Sequence, residues 1–353
     1  FSDLFAVMER YMNEFRPLFR ACNGSKPEVH FMKPEHLEIV MNNSIHITKG
    51  LNYNQLHSWL GQGLLTSTGP KWFQHRKLIT PTFHFKILEN FMTIFVEKTG
   101  ILLKILDAKA NVGSFNIYTD ITHCALDIIC ETAMGVNVNV MSDEDNEYIK
   151  AVYDITEVLF WKVLHPYVPD FMFKLLPQGR RLQKDLIVLH GFSNKVIADR
   201  KKLLESRKSN SSDKVDQGAD DLGIKKRKSF LDLLLEASEN GKVLSDTDIR
   251  EEVDTFMFEG HDTTTAAISW TLLLLGNHPE IQEKAYQEIS GVLRDKSTPS
   301  TIAELNELKY LECIIKESLR MFPSVPFISR HLLQDIQIGA FYLKKLIPFF
   351  EER

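Results

Sequence analysis

Residues 251–270 read EEVDTFMFEGHDTTTAAISW. The flanks, VDTFMF and AAISW, are apolar and helix-like, yet the centre holds Glu259, Gly260, His261, Asp262 and the threonines 263–265. Glycine costs about 1 kcal/mol inside a helix, and Thr and Asp are poor helix formers. Ser and Thr hydroxyls also back-bond to helix carbonyls and bend the axis. Such a cluster sets local preference against global role, a conflict that tends to mark functional sites. A local opening or π-type bulge is expected here. Glu259 and Thr263 are four apart and share a face. Asp262 beside Thr263 gives an acid and an alcohol suited to a proton relay. Gly260 and Ala266 remove bulk, so that something flat can approach the backbone. The plainer alternative is a buried polar kink whose groups pair internally. A di-metal carboxylate site is a further alternative, against which no second Glu-x-x-His helix appears. A helical metalloenzyme built on His261 and Asp262 would need facing ligands that the sequence does not nominate.

Working outward, Ser245 can cap this helix, with Asp248 at the capping-box position. The pattern predicts a helix over 246–276, ending near Gly276-Asn277-His278-Pro279. At ~1.5 Å per residue it is ~45 Å long, enough to cross a whole domain. Two helices follow, over 279–293 and 307–321, the second stopped by Pro323. Upstream, helical patterns cover 3–16, 85–109, a run ended by Gly135, 144–161 and 180–206, and a short aromatic and basic helix lies within 66–82. Strand signal is confined to a hairpin around Asn23-Gly24-Ser25, with its second strand over 27–32, and to 325–330 and 336–339. The fold class is therefore mainly α with a small β-sheet. Residues 207–228 shift to a polar, charged composition and read as a mobile surface loop; a basic partner-binding patch is the other reading.

The chain has 353 residues, 44% hydrophobic, with a net charge of −5. This balance gives no sign of a nucleic-acid partner. Cys22, Cys124, Cys130 and Cys313 show no C-x-x-C pair or metal spacing and read as reduced thiols. No window reaches the roughly 18 continuous apolar residues of a membrane span, and no signal peptide is visible. The chain opens on Phe1 rather than Met, so a preceding segment is expected.

Two more constellations carry chemistry. KWFQHRK places Trp72 and Arg76 four apart, an indole N–H and a guanidinium suited to a carboxylate. Packing of the indole under the arginine stem is the alternative. KESLRMFPSVPFISR holds Glu317 and Arg320, three apart on a helix. Taken alone, that pair is a surface salt bridge; a buried pair fixing the core is the alternative.

The three constellations occur in the order W-x-x-x-R, G-x-D-T-T, E-x-x-R, then P-S-V-P-F-I-S-R. Together they resemble a cytochrome P-450, and DTFMFEGHDTT resembles family 4 of that group. SIHITKGLNYNQLHSWLGQGLLTSTGPKW and PTFHFKILENF resemble its insect members. The resemblance implies a single cytochrome P-450 domain over 1–353 that binds haem b along the long helix near Gly260. It implies that Asp262 and Thr263 supply protons for oxygen activation, and that Glu259 can form an ester with a haem methyl. Trp72 and Arg76 would bind one propionate and Arg330 another. Glu317 and Arg320 would form a buried structural pair, and Val325, Phe327 and Ile328 would lie near the substrate. Fatty acids or related lipophilic molecules would be hydroxylated with O2, using NADPH electrons from cytochrome P-450 reductase at the cytosolic face of the endoplasmic reticulum membrane.

The chain also departs from that family. The iron-binding cysteine is expected after E-x-x-R, yet no cysteine follows Cys313 and the sequence stops at Arg353. Haem ligation by thiolate needs that residue. The expectation is a fold truncated before the haem-thiolate loop, which holds haem poorly or not at all and does not oxygenate. A non-catalytic product that binds a lipid or a partner is the competing reading.

Overall fold

The computed structural model describes residues 2–23, 26–83, 89–143, 146–211, 229–238, 243–294, 296, 298–299, 301–344 and 348–352. Of the surface loop expected over 207–228, residues 207–211 instead continue a helix that ends at Ser211, and 212–228 lie outside the described residues, as does the tip of the first hairpin, 24–25. The chain divides into two units. The first comprises residues 1–74, 153–185 and 325–353, the second 75–152 and 186–324.

The first unit holds the sheet. Strands β1 (Leu18–Asn23) and β2 (Lys26–Phe31) pair antiparallel as the hairpin signal predicts. β3 (Phe327–His331) joins them through β6 (Pro348–Glu352), giving the order β1-β2-β6-β3. β4 (Ile336–Ile338) and β5 (Phe341–Leu343) form a separate two-stranded ribbon. Val29, Phe31, Val40, Leu332, Ile336, Ile338 and Leu343 make one buried apolar cluster beneath these strands. Helix α1 (Ser2–Glu14) precedes the hairpin, and α2 (Pro34–Met41), opened by a proline in its first turn, contributes Val40. Gly50 lies directly on Ser329, where a Cβ has no room, and its N–H donates to the Ser329 carbonyl at 3.2 Å.

The second unit is helical. After α3 (Gly69–Ile79), which begins in the first unit, come α4 (Met92–Lys109), α5 (Ile117–Ile129), α6 (Glu147–Leu164), which passes into the first unit at Tyr153, and α7 (Pro177–Ser211), which returns from it after Asp185. Then follow α8 (Phe230–Ala237), α9 (Asp246–Asn277), α10 (Pro279–Leu293) and α11 (Lys309–Met321). α9 is the long helix expected from the opening stretch, and Ser245 and Asp248 close its capping box reciprocally. α9 packs most extensively on α5.

α9 does not open at its polar centre. Two of its three threonine hydroxyls are absorbed by the helix itself, and the third, on Thr265, is buried without a hydrogen-bond partner. Thr263 donates to the Glu259 carbonyl at 2.7 Å and Thr264 to that of Gly260 at 3.0 Å. The π-type turn appears instead at the end of α5, over Cys130–Met134, closed by Gly135 in the left-handed region (φ 67°). Charged side chains tie the unit together from inside. Arg200 binds Asp232 through two bonds of 2.6 Å and also reaches the Gly135 carbonyl at 2.7 Å. The Asp127 carboxylate accepts the N–H groups of Val140 and Met141. Glu288 of α10 accepts those of Tyr310 and Leu311, capping α11.

Candidate functional site

The second unit brings together the polar residues of α9. Glu259, Gly260, Asp262 and Thr263 are half-buried, whereas His261 is buried. The expected contact between Asp262 and Thr263 is divided among other partners. Asp262 Oδ1 accepts the phenol O–H of Tyr118 on α5 at 3.3 Å. Thr263 spends its hydroxyl proton on Glu259, and its carbonyl accepts the Ser324 hydroxyl at 2.9 Å. Gly260 has a packing reason within the unit: a Cβ there would lie 2.7 Å from Ile129 of α5. The close approach that this glycine permits in the described structure is helix to helix.

His261 turns away from the half-exposed side. Its Nδ1–H donates to the Met257 carbonyl, so the neutral ring keeps its lone pair on Nε2, which finds no partner. Burial lowers its pKa, and the Met257 bond and Asp262 offset this only partly. The Tyr148 hydroxyl, whose ring centroid lies 6.2 Å from that of His261, is likewise buried and unpartnered. Burial first, then the negative charge of Asp254, pushes its pKa well up. Among the described residues, no three His, Cys, Asp or Glu side chains converge as metal ligands around His261 and Asp262.

One turn and more upstream, α9 carries a second polar group that the sequence reading passed over. Glu252 is fully buried and accepts the Nδ1–H of His75 on α3 at 2.6 Å. Asp254 is buried, accepts the Ser193 hydroxyl in a short bond, and lies 3.8 Å from His190 and 3.7 Å from Arg250. Desolvation dominates and raises its pKa to about 7. Nothing periodic in the sequence announces these pairings: His75 and Glu252 are 177 residues apart.

The other expected site residues fall as follows. Arg76 is exposed on α3, in the second unit. Trp72 belongs to the first unit, half-buried and edge-on to Phe73. Arg330 sits on β3, also in the first unit, opposite Lys49 in an isolated bridge. Phe327 and Ile328 are half-buried on the same strand, and Val325 just before it is exposed. Glu317 and Arg320 do pair, through two bonds of 2.8 Å, but as an exposed fork. Their side chains are 58% and 68% exposed, so the buried pair implied by the resemblance is corrected to a solvent-facing one among the described residues. The Arg320 bond holds the Glu317 carboxyl below its ordinary value. An apolar cavity of about 330 Å³ lies beside that pair, lined by Leu274, Leu275, Ile281, Tyr310, Ile314 and Met321. From Thr263 to Leu274 is about 16 Å along the helix axis, so the cavity is not at the polar island.

Of the four cysteines, Cys124 and Cys130 are buried on and after α5 and Cys22 and Cys313 are exposed. Burial raises the Cys124 thiol to about 11 and the Cys130 thiol further, so neither offers a thiolate near neutral pH.

A mainly α fold with a small sheet, and a long helix bearing Glu-Gly-His-Asp-Thr-Thr between W-x-x-x-R and E-x-x-R, defines the class of haem-dependent monooxygenases. Residues 2–346 match the cytochrome P450 family, and the chain belongs to that family. It is 47% identical to cytochrome P450 4c21 of Blattella germanica over 341 residues, covering 96% of this chain and 67% of that protein. It is 46% identical to cytochrome P450 4c3 of Drosophila melanogaster over 334 residues, covering 93% and 62%. It is 45% identical to cytochrome P450 4V2 of Mus musculus over 358 residues, covering 99% and 67%. The similarity thus extends to insect and mammalian family 4 members alike, and the chain spans about two thirds of their length.

Proposed function

We propose that this chain carries the oxygen-activating helix and part of the haem cradle of a family 4 haem-thiolate monooxygenase. The reaction is hydroxylation of a fatty acid or related lipophilic substrate, with NADPH electrons delivered by cytochrome P-450 reductase. The observation that carries this reading is the half-buried run Glu259-Gly260-His261-Asp262-Thr263 on an otherwise apolar, unbroken helix. The donor set suits the periphery of a haem. Arg76 in the second unit, and Trp72 and Arg330 in the first, are each of a donor type that binds a propionate. Bound haem supplies the iron at which oxygen is reduced. Asp262 has one carboxylate oxygen held by Tyr118, which leaves the other to carry a proton. Thr263 can pass one on once its hydroxyl leaves the Glu259 carbonyl. Glu259 is the candidate for an ester to the haem, and Val325, Phe327 and Ile328 are the substrate contacts. The donor set does not suit the iron itself: Cys124 and Cys130 are protonated and buried, and no step is assigned to a thiolate of these 353 residues.

A membrane surface is the proposed setting, on the cytosolic face of the endoplasmic reticulum. Among the described residues no helix is long and apolar enough to cross a bilayer. The support is in the first unit, where Tyr167, Phe171 and Leu175 are 69–74% exposed in a short segment flanked by Lys162 and Lys174. Clustered exposed apolar side chains with basic neighbours suit a lipid interface. A second reading, a non-catalytic lipid- or partner-binding product, is favoured by the apolar cavity beside α11.

The test is a haemin titration of the chain, then a spectrum of the reduced, carbon monoxide-bound complex. Weak haemin binding without the thiolate-type band is expected for these residues. Failure to bind porphyrin at all would sink the haem reading, and a thiolate band would overturn the account of the cysteines. Retention of haem after denaturing extraction, lost in Glu259→Gln, tests the ester.

A further inference from the structure

We infer that His75 and Glu252 form a positioning pair that presents Arg76 to a carboxylate ligand. The inference deepens the reading above and rests on it, the carboxylate there being a haem propionate. Helix α3 buries His75 and Ile79, four residues apart, and leaves Arg76 exposed beside them. Successive residues of a helix are about 100° apart around its axis. Whatever fixes the rotation of α3 therefore fixes the direction in which the Arg76 guanidinium leaves it. An apolar contact such as Ile79 restrains distance but tolerates sliding and rotation, because dispersion and burial are non-directional. The bond from His75 Nδ1 to Glu252 Oε1 is directional, 2.6 Å long and buried at both ends. Its acceptor stands on the 32-residue α9. A carboxylate with no exposed surface must keep its donor, since a buried charge without partners is costly. The geometry is thus over-determined at His75 and open at Arg76, whose guanidinium has no ion-pair partner among the described residues. An anchored residue followed directly by an unpaired cation is the arrangement expected of a preorganised anion site.

The same pair also links the two ends of the proposed site. Glu252 lies seven residues before Glu259 on α9, which is about two helical turns and hence the same side of the helix. A displacement of α3 along α9 would move Arg76 relative to Glu259, and the His75 bond opposes it.

The experiment compares haemin with its dimethyl ester, whose propionates carry no charge, by Soret titration into the unaltered chain, Arg76→Ala, His75→Leu and His75→Asn. Asparagine places an N–H donor where histidine has Nδ1. The unaltered chain and His75→Asn should prefer haemin. Arg76→Ala and His75→Leu should each weaken haemin about tenfold, the size of one charge-assisted hydrogen bond, while leaving the ester unchanged. The double variant His75→Leu/Arg76→Ala should be no weaker than Arg76→Ala. If His75→Leu does not fold, His75→Leu/Glu252→Met removes both polar partners and serves in its place. Equal loss of haemin and ester in the His75 variants, or full additivity with Arg76→Ala, would show that the pair merely supports the fold and would overturn the inference. A preference abolished by Arg76→Ala but untouched by His75→Leu overturns the inference alone. A preference untouched by Arg76→Ala overturns the propionate reading and the inference with it.

Discussion

The two halves of helix α9 use the same residue types for different ends. In the first, Glu252, Asp254 and Thr255 are buried and bonded to His75, Ser193 and the Glu251 carbonyl, with Asp254 Oδ2 sealed in beside them without a hydrogen-bond donor. In the second, Glu259, Asp262 and Thr263 are half-buried, and Asp262 is held through one oxygen only. Acids buried against side chains of neighbouring helices hold a fold together. Acids that stay half-exposed on the same helix retain the capacity to bind or to move a proton. Polarity in an apolar helix is therefore not by itself a mark of chemistry; the degree to which the fold consumes it decides.

The comparison is broken most severely at Glu252. His75→Leu leaves that carboxylate buried without its histidine and should cost about 3–5 kcal/mol, read as a lowered urea midpoint. Asp254 comes next, through pH. Its carboxyl titrates near 7 in the folded chain, above its ordinary value of 3.8, with Ser193, His190, Arg250 and Glu251 around it. Its folded pKa is raised, so the folded state binds the proton more tightly. The resulting stability is fully present below about pH 4 and is lost as pH rises through 7, a swing on the order of 4 kcal/mol at most. Asp254→Asn should flatten that slope, and an unchanged slope would remove Asp254 as its source. Gly260→Val should cost about 1–3 kcal/mol by overpacking against Ile129, and Ile129→Ala should recover much of it. Tyr118→Phe should cost about 0.5–1.5 kcal/mol, and a larger loss would mean that Asp262 belongs with the structural half after all. At the small end, Arg320→Ala breaks an exposed fork and should leave the unfolding midpoint where it was.

The sequence reading located α9 to within one residue of its observed end, because a capping box and a Gly-Asn-His-Pro stop are local signals. The hairpin, α10, α11, β3 and β4 were legible for the same reason, whereas β5 was not. The opening expected at the threonines did not appear, since back-bonding hydroxyls satisfy themselves on the helix without breaking it. β6 went unread: PFFEE has little alternation, and it is a strand because β2 and β3 lie on either side to pair with it. Glu252, Asp254, Tyr118 and Ser324 went unread as partners because each acts across a long sequence separation, where no period exists to detect. E-x-x-R shows the reverse. The motif was visible, and the pair forms, but local spacing carries no information about what covers it.

The buried clasp of Arg200 on Asp232 has a consequence for how this chain can come apart. It joins α7 to α8 before the intervening segment, 212–228, is counted. The same guanidinium reaches the Gly135 carbonyl that closes the turn after α5. One buried guanidinium is thus a common rivet for the end of α5, for α7 and for α8, so that the three can part only together.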